Sequence, residues 1–292
     1  MYPDFLCIGT PKSGTTWLDH QLRCHPALWL PPIKELHHFD CLGTAPWALY
    51  YRFDKGIQHN LRRAAKQSIS DIRAGNSNIR WYLRYFCLTR SDAWYGTLFT
   101  PTRGQVAGEI TPAYCRLEEP QVAHIHRLMP HLKVVLILRN PVERFWSNLA
   151  MYFSKYGYNG IENVSETDII KMFDSGIHRR SAEYHKTIKL WRRYYAEDQM
   201  LIAFFEQISS QPQALLESVY RFLGVPHCDV FDDKLAQKVN HRQYPSIPDH
   251  LKIQLHMLFQ TEIQLVHQMF NNQFTQGWLD DNQSVLARHC AE

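Results

Sequence analysis

At 292 residues, 45% of them hydrophobic and 13% aromatic, the chain can bury a substantial core as one large domain or two small ones. Its net charge of +4, without a basic block, suits a local anionic ligand and excludes a nucleic-acid arm. The seven cysteines are scattered, odd in number and free of C-x-x-C spacing, as in a reduced cytosolic protein, and neither a membrane span nor a targeting pattern is visible.

Phe5 to Gly9 (FLCIG) is a short apolar run closed by glycine, the pattern of a buried strand, and Leu18 and Leu22 then recur at helical spacing until Pro26. Residues 42–104 are less regular and aromatic-rich, and we read them as helices and loops covering the ligand end of a sheet. The aromatics from Trp81 to Phe99 read either as sugar-stacking groups or as lid packing. KVVLILR, Lys133 to Arg139, is a second strand, followed by the helical ERFWSNLAMYF. MLIAFFEQI is a third, with a helix from Pro212 to Gly224 behind it. A docking helix is expected over 249–270, where Leu251, Leu255, Phe259, Val266 and Phe270 share one face. Strands alternating with helices predict an α/β fold, a parallel β-sheet flanked by helices, in a single domain over 1–292.

The loop GTPKSGTT lies between the first strand and its helix, where backbone N–H groups and the helix dipole favour an anion. Gly14 lets the backbone close, Ser13, Thr15 and Thr16 offer hydroxyls, and Lys12 adds a full charge. In a triphosphate loop the lysine follows the second glycine, whereas Lys12 precedes Gly14. A triphosphatase would also place an acid for Mg²⁺ at the end of a neighbouring strand, and Arg139 stands there instead. These departures weigh against a P-loop kinase or NTPase, and no metal is expected.

PKSGTTW (Pro11 to Trp17) followed by LILRNPVERFWS (Leu136 to Ser147) resembles the sulfotransferases that use 3′-phosphoadenosine 5′-phosphosulfate, PAPS. The resemblance implies their P-loop-like fold, with Lys12, Ser13, Gly14, Thr15 and Thr16 holding the 5′-phosphosulfate and Arg139 and Ser147 the 3′-phosphate. YRFLGVP (Tyr220 to Pro226) resembles the family's late helix end. VNHRQYPSI (Val239 to Ile247) resembles the loop that closes over the cofactor, which places Arg242 and Tyr244 among the cofactor-binding residues. Trp17 stands where some members stack a tryptophan on adenine, with core packing as the alternative.

PPIKELHHFD, Pro31 to Asp40, offers general acid–base groups at short range. On an extended segment Glu35 and His37 alternate to one side, with Asp40 able to orient the imidazole. The segment resembles the E-x-H-x-x-D stretch of heparan sulfate-type and related bacterial sulfotransferases. By that resemblance Glu35 is the catalytic base, with His37 and Asp40 beside it, and Lys12 neutralises charge on the bridging oxygen. His37, His38, Cys41, His124 and His126 form no complete ligand set at metal spacing. Where heparan-type members often read E-K-x-P, this chain has EITP, with Ile110 in place of the lysine. The expected reaction is in-line sulfuryl transfer from PAPS to a hydroxyl acceptor, leaving adenosine 3′,5′-bisphosphate. A carbohydrate is the first choice of acceptor, and a small-metabolite or lipid-linked hydroxyl the second. A nucleotide-binding module without catalysis is the remaining alternative, against which Glu35 and His37 speak.

Overall fold

Each of the three apolar runs becomes a strand: Phe5–Gly9 is β1, Lys133–Leu138 is β4 and Met200–Phe204 is β5. The computed structural model describes residues 1–41, 55–75, 78–155, 158, 160–230 and 245–291. Two more strands complete the sheet, β2 (Leu28–Trp29) and β3 (Val106–Ile110), in the order β2-β3-β1-β4-β5. All neighbours pair in parallel, with Phe5 opposite both Gly108 and Lys133 and Val134 opposite Met200. Every strand therefore ends at the same edge of the sheet, where the following loops converge. The chain moves from β1 to β2 and β3 on one side, then crosses to β4 and β5 on the other, the arrangement that opens a ligand crevice beside the central strand.

β2 and β3 add to the sequence expectation for identifiable reasons. β2 has two residues, too few to show a period. β3 carries Gly108 and Glu109, both poor strand formers. Gly108 is needed because a Cβ there would meet the Phe5 ring at 2.0 Å.

Alternation along β1 sends Leu6 and Ile8 into one core layer and Phe5 and Cys7 into the other, so both faces of the sheet are buried. The helix Thr15–Cys24 covers the second layer with Trp17, Leu18 and Leu22. The helix Pro141–Lys155 covers the first with Phe145, Leu149 and Phe153.

Within 42–104 the described residues are largely helical: Lys55–Arg73, Ile79–Cys87 and Asp92–Thr97. Residues 42–54 lie outside the described part. Trp81, Tyr82, Tyr85, Trp94, Tyr95 and Phe99 are buried, which fits the packing alternative; Phe86 is exposed. The expected helix over Asp249–Phe270 packs on Pro141–Lys155 and Tyr184–Trp191. Behind it runs a further helix, Gln273–Ala291, whose Phe274, Trp278 and Val285 are too sparse, with Gly277 between them, to have announced it.

Candidate active site

The loop after β1 is built inward before it faces a ligand. Thr10 Oγ1 lies 2.6 Å from Ser13 Oγ and donates to the Ile137 carbonyl at 3.2 Å, while the Ser13 N–H donates to the Thr10 carbonyl. Ser13 is buried, and its hydroxyl faces Thr10 within the loop. Gly14 has φ 82° and begins the helix with no side-chain cap. A Cβ there would lie 2.1 Å from Ile208 Cδ1, so only glycine fits. Trp17 is 1% exposed and belongs to the apolar layer that holds Phe5, Cys7 and Leu18.

β4 delivers Arg139 to this loop. Its Nη1 donates to the Lys12 carbonyl at 3.1 Å, its guanidinium carbon lies 4.5 Å from the Phe205 ring centroid, and Glu143 stands 3.6 Å away. Burial lowers its pKa, opposed by Glu143, and the group remains a cation. The Tyr184 hydroxyl donates to the Arg139 carbonyl at 2.7 Å, fixing the strand end. Ser147 is buried on the helix that follows, and among the described residues no hydrogen bond joins it to Arg139. Arg242 and Tyr244 lie outside the described residues.

The segment after β2 reaches the same loop. Lys34, which sequence spacing did not single out, places Nζ 3.1 Å from Thr16 Oγ1, 3.5 Å from Thr15 Oγ1 and 3.9 Å from Glu35 Oε1. Glu35 and His37 are not extended: both are left-handed, with φ 65° and 53°, and Lys12 has φ 71°. Only four non-glycine residues among those described have positive φ, and three of them are here. Such backbones cost about 1–3 kcal/mol each and persist where surrounding structure holds them. The side chains still converge, because His37 Nδ1 lies 2.7 Å from Asp40 Oδ2 and Nε2 3.5 Å from Glu35 Oε2. Burial opposes a charge on His37, but Asp40 and Glu35 outweigh it and raise its pKa to about 10. The ring therefore carries both protons at neutral pH. Asp40 stabilises an imidazolium and does not select a neutral tautomer.

Glu109 is what holds this segment, and it too escaped the sequence reading, which saw it only as the first letter of EITP. Fully buried at the end of β3, it accepts from the Leu36 N–H at 3.2 Å, Thr111 Oγ1 at 2.5 Å and the Tyr114 hydroxyl at 3.1 Å, and from the Tyr95 hydroxyl. Tyr114 in turn accepts from the His38 N–H at 2.9 Å. Leu36 lies between the two left-handed residues, so the carboxylate pins the turn that aims them. Burial raises its pKa and the three hydroxyl donors oppose that rise. Ile110 points the other way, into the core layer of Phe5 and Cys7.

His38 is buried, with Nε2 3.0 Å from Asp92, whose other oxygen lies 3.0 Å from His124 Nε2. This ties the helix Asp92–Thr97 to the segment. His126 faces Tyr194 and Tyr195 instead. Among the described residues no group of three or more His, Cys, Asp or Glu is arranged to hold a metal.

The arrangement brings Lys34 to the Thr15 and Thr16 hydroxyls, Arg139 to the Lys12 carbonyl and the Glu35 carboxylate to 3.9 Å from Lys34, beside a helix N-terminus with no side-chain cap. A family model described as the sulfotransferase family matches residues 3–229. Human heparan sulfate glucosamine 3-O-sulfotransferase 6 is 30% identical over 227 residues, 77% of this chain and 53% of that protein. Mouse carbohydrate sulfotransferase 15 is 22% identical over 266 residues, 76% of this chain and 44% of its own. The chain thus spans about half the length of the curated relatives it matches. The crystal structure of a sulfotransferase from Alicyclobacillus acidocaldarius superposes with a TM-score of 0.67 at 20% identity, covering 95% of this chain and 99% of that one. A mouse sulfotransferase complexed with PAP gives 0.51 at 12% identity, covering 97% and 89%. These likenesses show a shared P-loop-like α/β fold.

Proposed function

The chain belongs to the sulfotransferase family, and we propose that it transfers a sulfuryl group from PAPS to a hydroxyl acceptor with Glu35 as the general base. The observation that carries this is the meeting of the β1 loop with the Lys34–Asp40 segment, where Lys34 reaches the Thr16 hydroxyl and the Glu35 carboxylate lies beside Lys34 and His37.

The residues fit a phosphosulfate donor. Thr15 and Thr16 hydroxyls face Lys34, the helix N-terminus has no side-chain cap, and Arg139 lies against Lys12. Such a donor supplies an activated sulfuryl group on a 5′-phosphate, and its 3′-phosphate falls to Arg139 and Ser147. The acceptor oxygen attacks sulfur, and its proton passes to Glu35. The new O–S bond forms as the bond from sulfur to the bridging oxygen breaks, and that electron pair leaves on adenosine 3′,5′-bisphosphate. Lys12 and Lys34 offset the charge growing on the bridging and sulfuryl oxygens. His37, as an imidazolium with Nε2 3.5 Å from Glu35 Oε2, orients the Glu35 carboxylate. A carbohydrate hydroxyl is the first acceptor class, supported by the heparan sulfate and carbohydrate sulfotransferases among the relatives.

The test is transfer from PAPS to a panel of glycans and small hydroxyl compounds, with sulfated product detected by mass. Glu35→Gln should lower turnover by about 10²- to 10⁴-fold while bisphosphate affinity holds. Full turnover by that variant would move the base elsewhere, and phosphoryl transfer from ATP would overturn the assignment.

A further inference from the structure

A second surface is formed by the helices Lys55–Arg73 and Ile79–Cys87. Residues 55–90 carry eight Lys and Arg against one acid, Asp71, whereas the other 256 residues carry 24 against 27. A chain of net charge +4 thus concentrates +7 in one helical hairpin, and the remainder is acidic. Asp71 is already engaged, accepting from Gln67 Nε2 at 2.8 Å and from the Tyr82 hydroxyl, which also packs the two helices together.

The same hairpin exposes apolar groups. Of the ten large hydrophobic side chains most exposed among the described residues, six lie here: Ile69, Ile72, Ile79, Leu83, Phe86 and Leu88, each 42% to 56% exposed. In the helix Ile79–Cys87, Trp81, Tyr82 and Tyr85 are buried on the core side. Ile79, Leu83 and Phe86, at i, i+4 and i+7, make a second stripe that the core does not use. Arg80 is exposed next to that stripe, and Lys66 and Arg73 are exposed on the preceding helix.

We propose that this hairpin docks the protein on an anionic lipid surface, with the Ile79–Leu83–Phe86 stripe entering the headgroup boundary and the flanking cations meeting lipid phosphates and carboxylates. Apolar stripes edged by Lys and Arg have this interfacial chemistry. A soluble polyanion would engage the cations but gain nothing from exposed Ile, Leu and Phe. A second copy of the chain would bring two such basic hairpins together. The docking goes beyond sulfuryl transfer and is measured without it.

The experiment is co-sedimentation of the whole chain with phosphatidylcholine vesicles, with and without phosphatidylserine, over a salt series. Since each surface cation contributes on the order of 1 kcal/mol, phosphatidylserine should strengthen binding by about tenfold or more and salt should reverse it. The Leu83→Ser/Phe86→Ser variant should lose about tenfold in affinity, because two apolar side chains no longer enter the lipid. Arg73→Glu/Arg80→Glu, which takes the hairpin from +7 to +3, should weaken the phosphatidylserine preference by about tenfold or more. Both variants alter exposed positions and should keep the thermal midpoint and circular dichroism of the parent. Equal binding to both vesicle types, or full binding by Leu83→Ser/Phe86→Ser, would overturn the proposal. So would capture by a soluble polyanion with no vesicle binding, or a dimer that Leu83→Ser/Phe86→Ser dissolves.

Discussion

His37 illustrates how a residue's chemistry depends on its neighbours more than on its type. With Asp40 at 2.7 Å and Glu35 at 3.5 Å its pKa rises to about 10, far above the ordinary histidine value near 6.5. A raised folded-state pKa contributes stability that is fully present below about pH 6.5 and is lost as pH climbs through about 10. An NMR titration of the His37 ring should therefore show it charged through neutrality, and Asp40→Asn should bring its midpoint down. A midpoint near 6.5 in the parent protein would contradict the geometry. Glu109 makes a second case. Glu109→Gln turns an amide N–H₂ toward groups that only donate or already donate, which should cost about 1–3 kcal/mol of stability. If Glu109 positions the Glu35 turn, kcat should fall further than bisphosphate affinity, and Glu109→Asp should recover neither the reach nor the rate. Equal losses in kcat and affinity would point to general loosening. Neither effect was legible in the sequence. Glu35 and His37 read as partners on an extended segment, but the left-handed turn they flank is held at Leu36 by a carboxylate 73 residues beyond it.

At the scale of elements, what was local was readable. The strand–loop–helix unit over FLCIGTPKSGTTW and the strand ending in Arg139 carry their own signals in apolar runs, glycine and proline. β3 hid its signal because its glycine and glutamate serve tertiary needs: one admits the Phe5 ring, the other collects four donors. Lys34 was invisible for a similar reason, since only the return of the β2 segment onto the β1 loop brings it to Thr16. The loop itself is predicted to be intolerant at Gly14. Gly14→Ala forces a Cβ to within 2.1 Å of Ile208 at a backbone angle that side chains rarely adopt. It should lower the thermal midpoint by an amount equivalent to about 1–3 kcal/mol, and the displaced loop should lower turnover on the order of 10²-fold. Normal turnover by Gly14→Ala, measured with saturating donor, would mean that the loop does not set the reaction geometry.

Across the whole molecule, five parallel strands bring to one edge three loops that are distant in sequence: Lys12 after β1, Lys34 and Glu35 after β2, and Arg139 after β4. We propose that this edge takes a phosphosulfate and not a triphosphate, because a cation stands where a metal-binding acid would be and the lysine of the first loop comes early. The central claim is thus a claim about the donor. Calorimetry with adenosine 3′,5′-bisphosphate, ATP and 5′-AMP tests it most directly, repeated on Arg139→Ala. The bisphosphate should bind tightest, and Arg139→Ala should lose roughly 10- to 10²-fold for it, the worth of one charge-assisted contact, with little change for 5′-AMP. ATP binding as tightly as the bisphosphate, or a bisphosphate preference that survives Arg139→Ala, would contradict it.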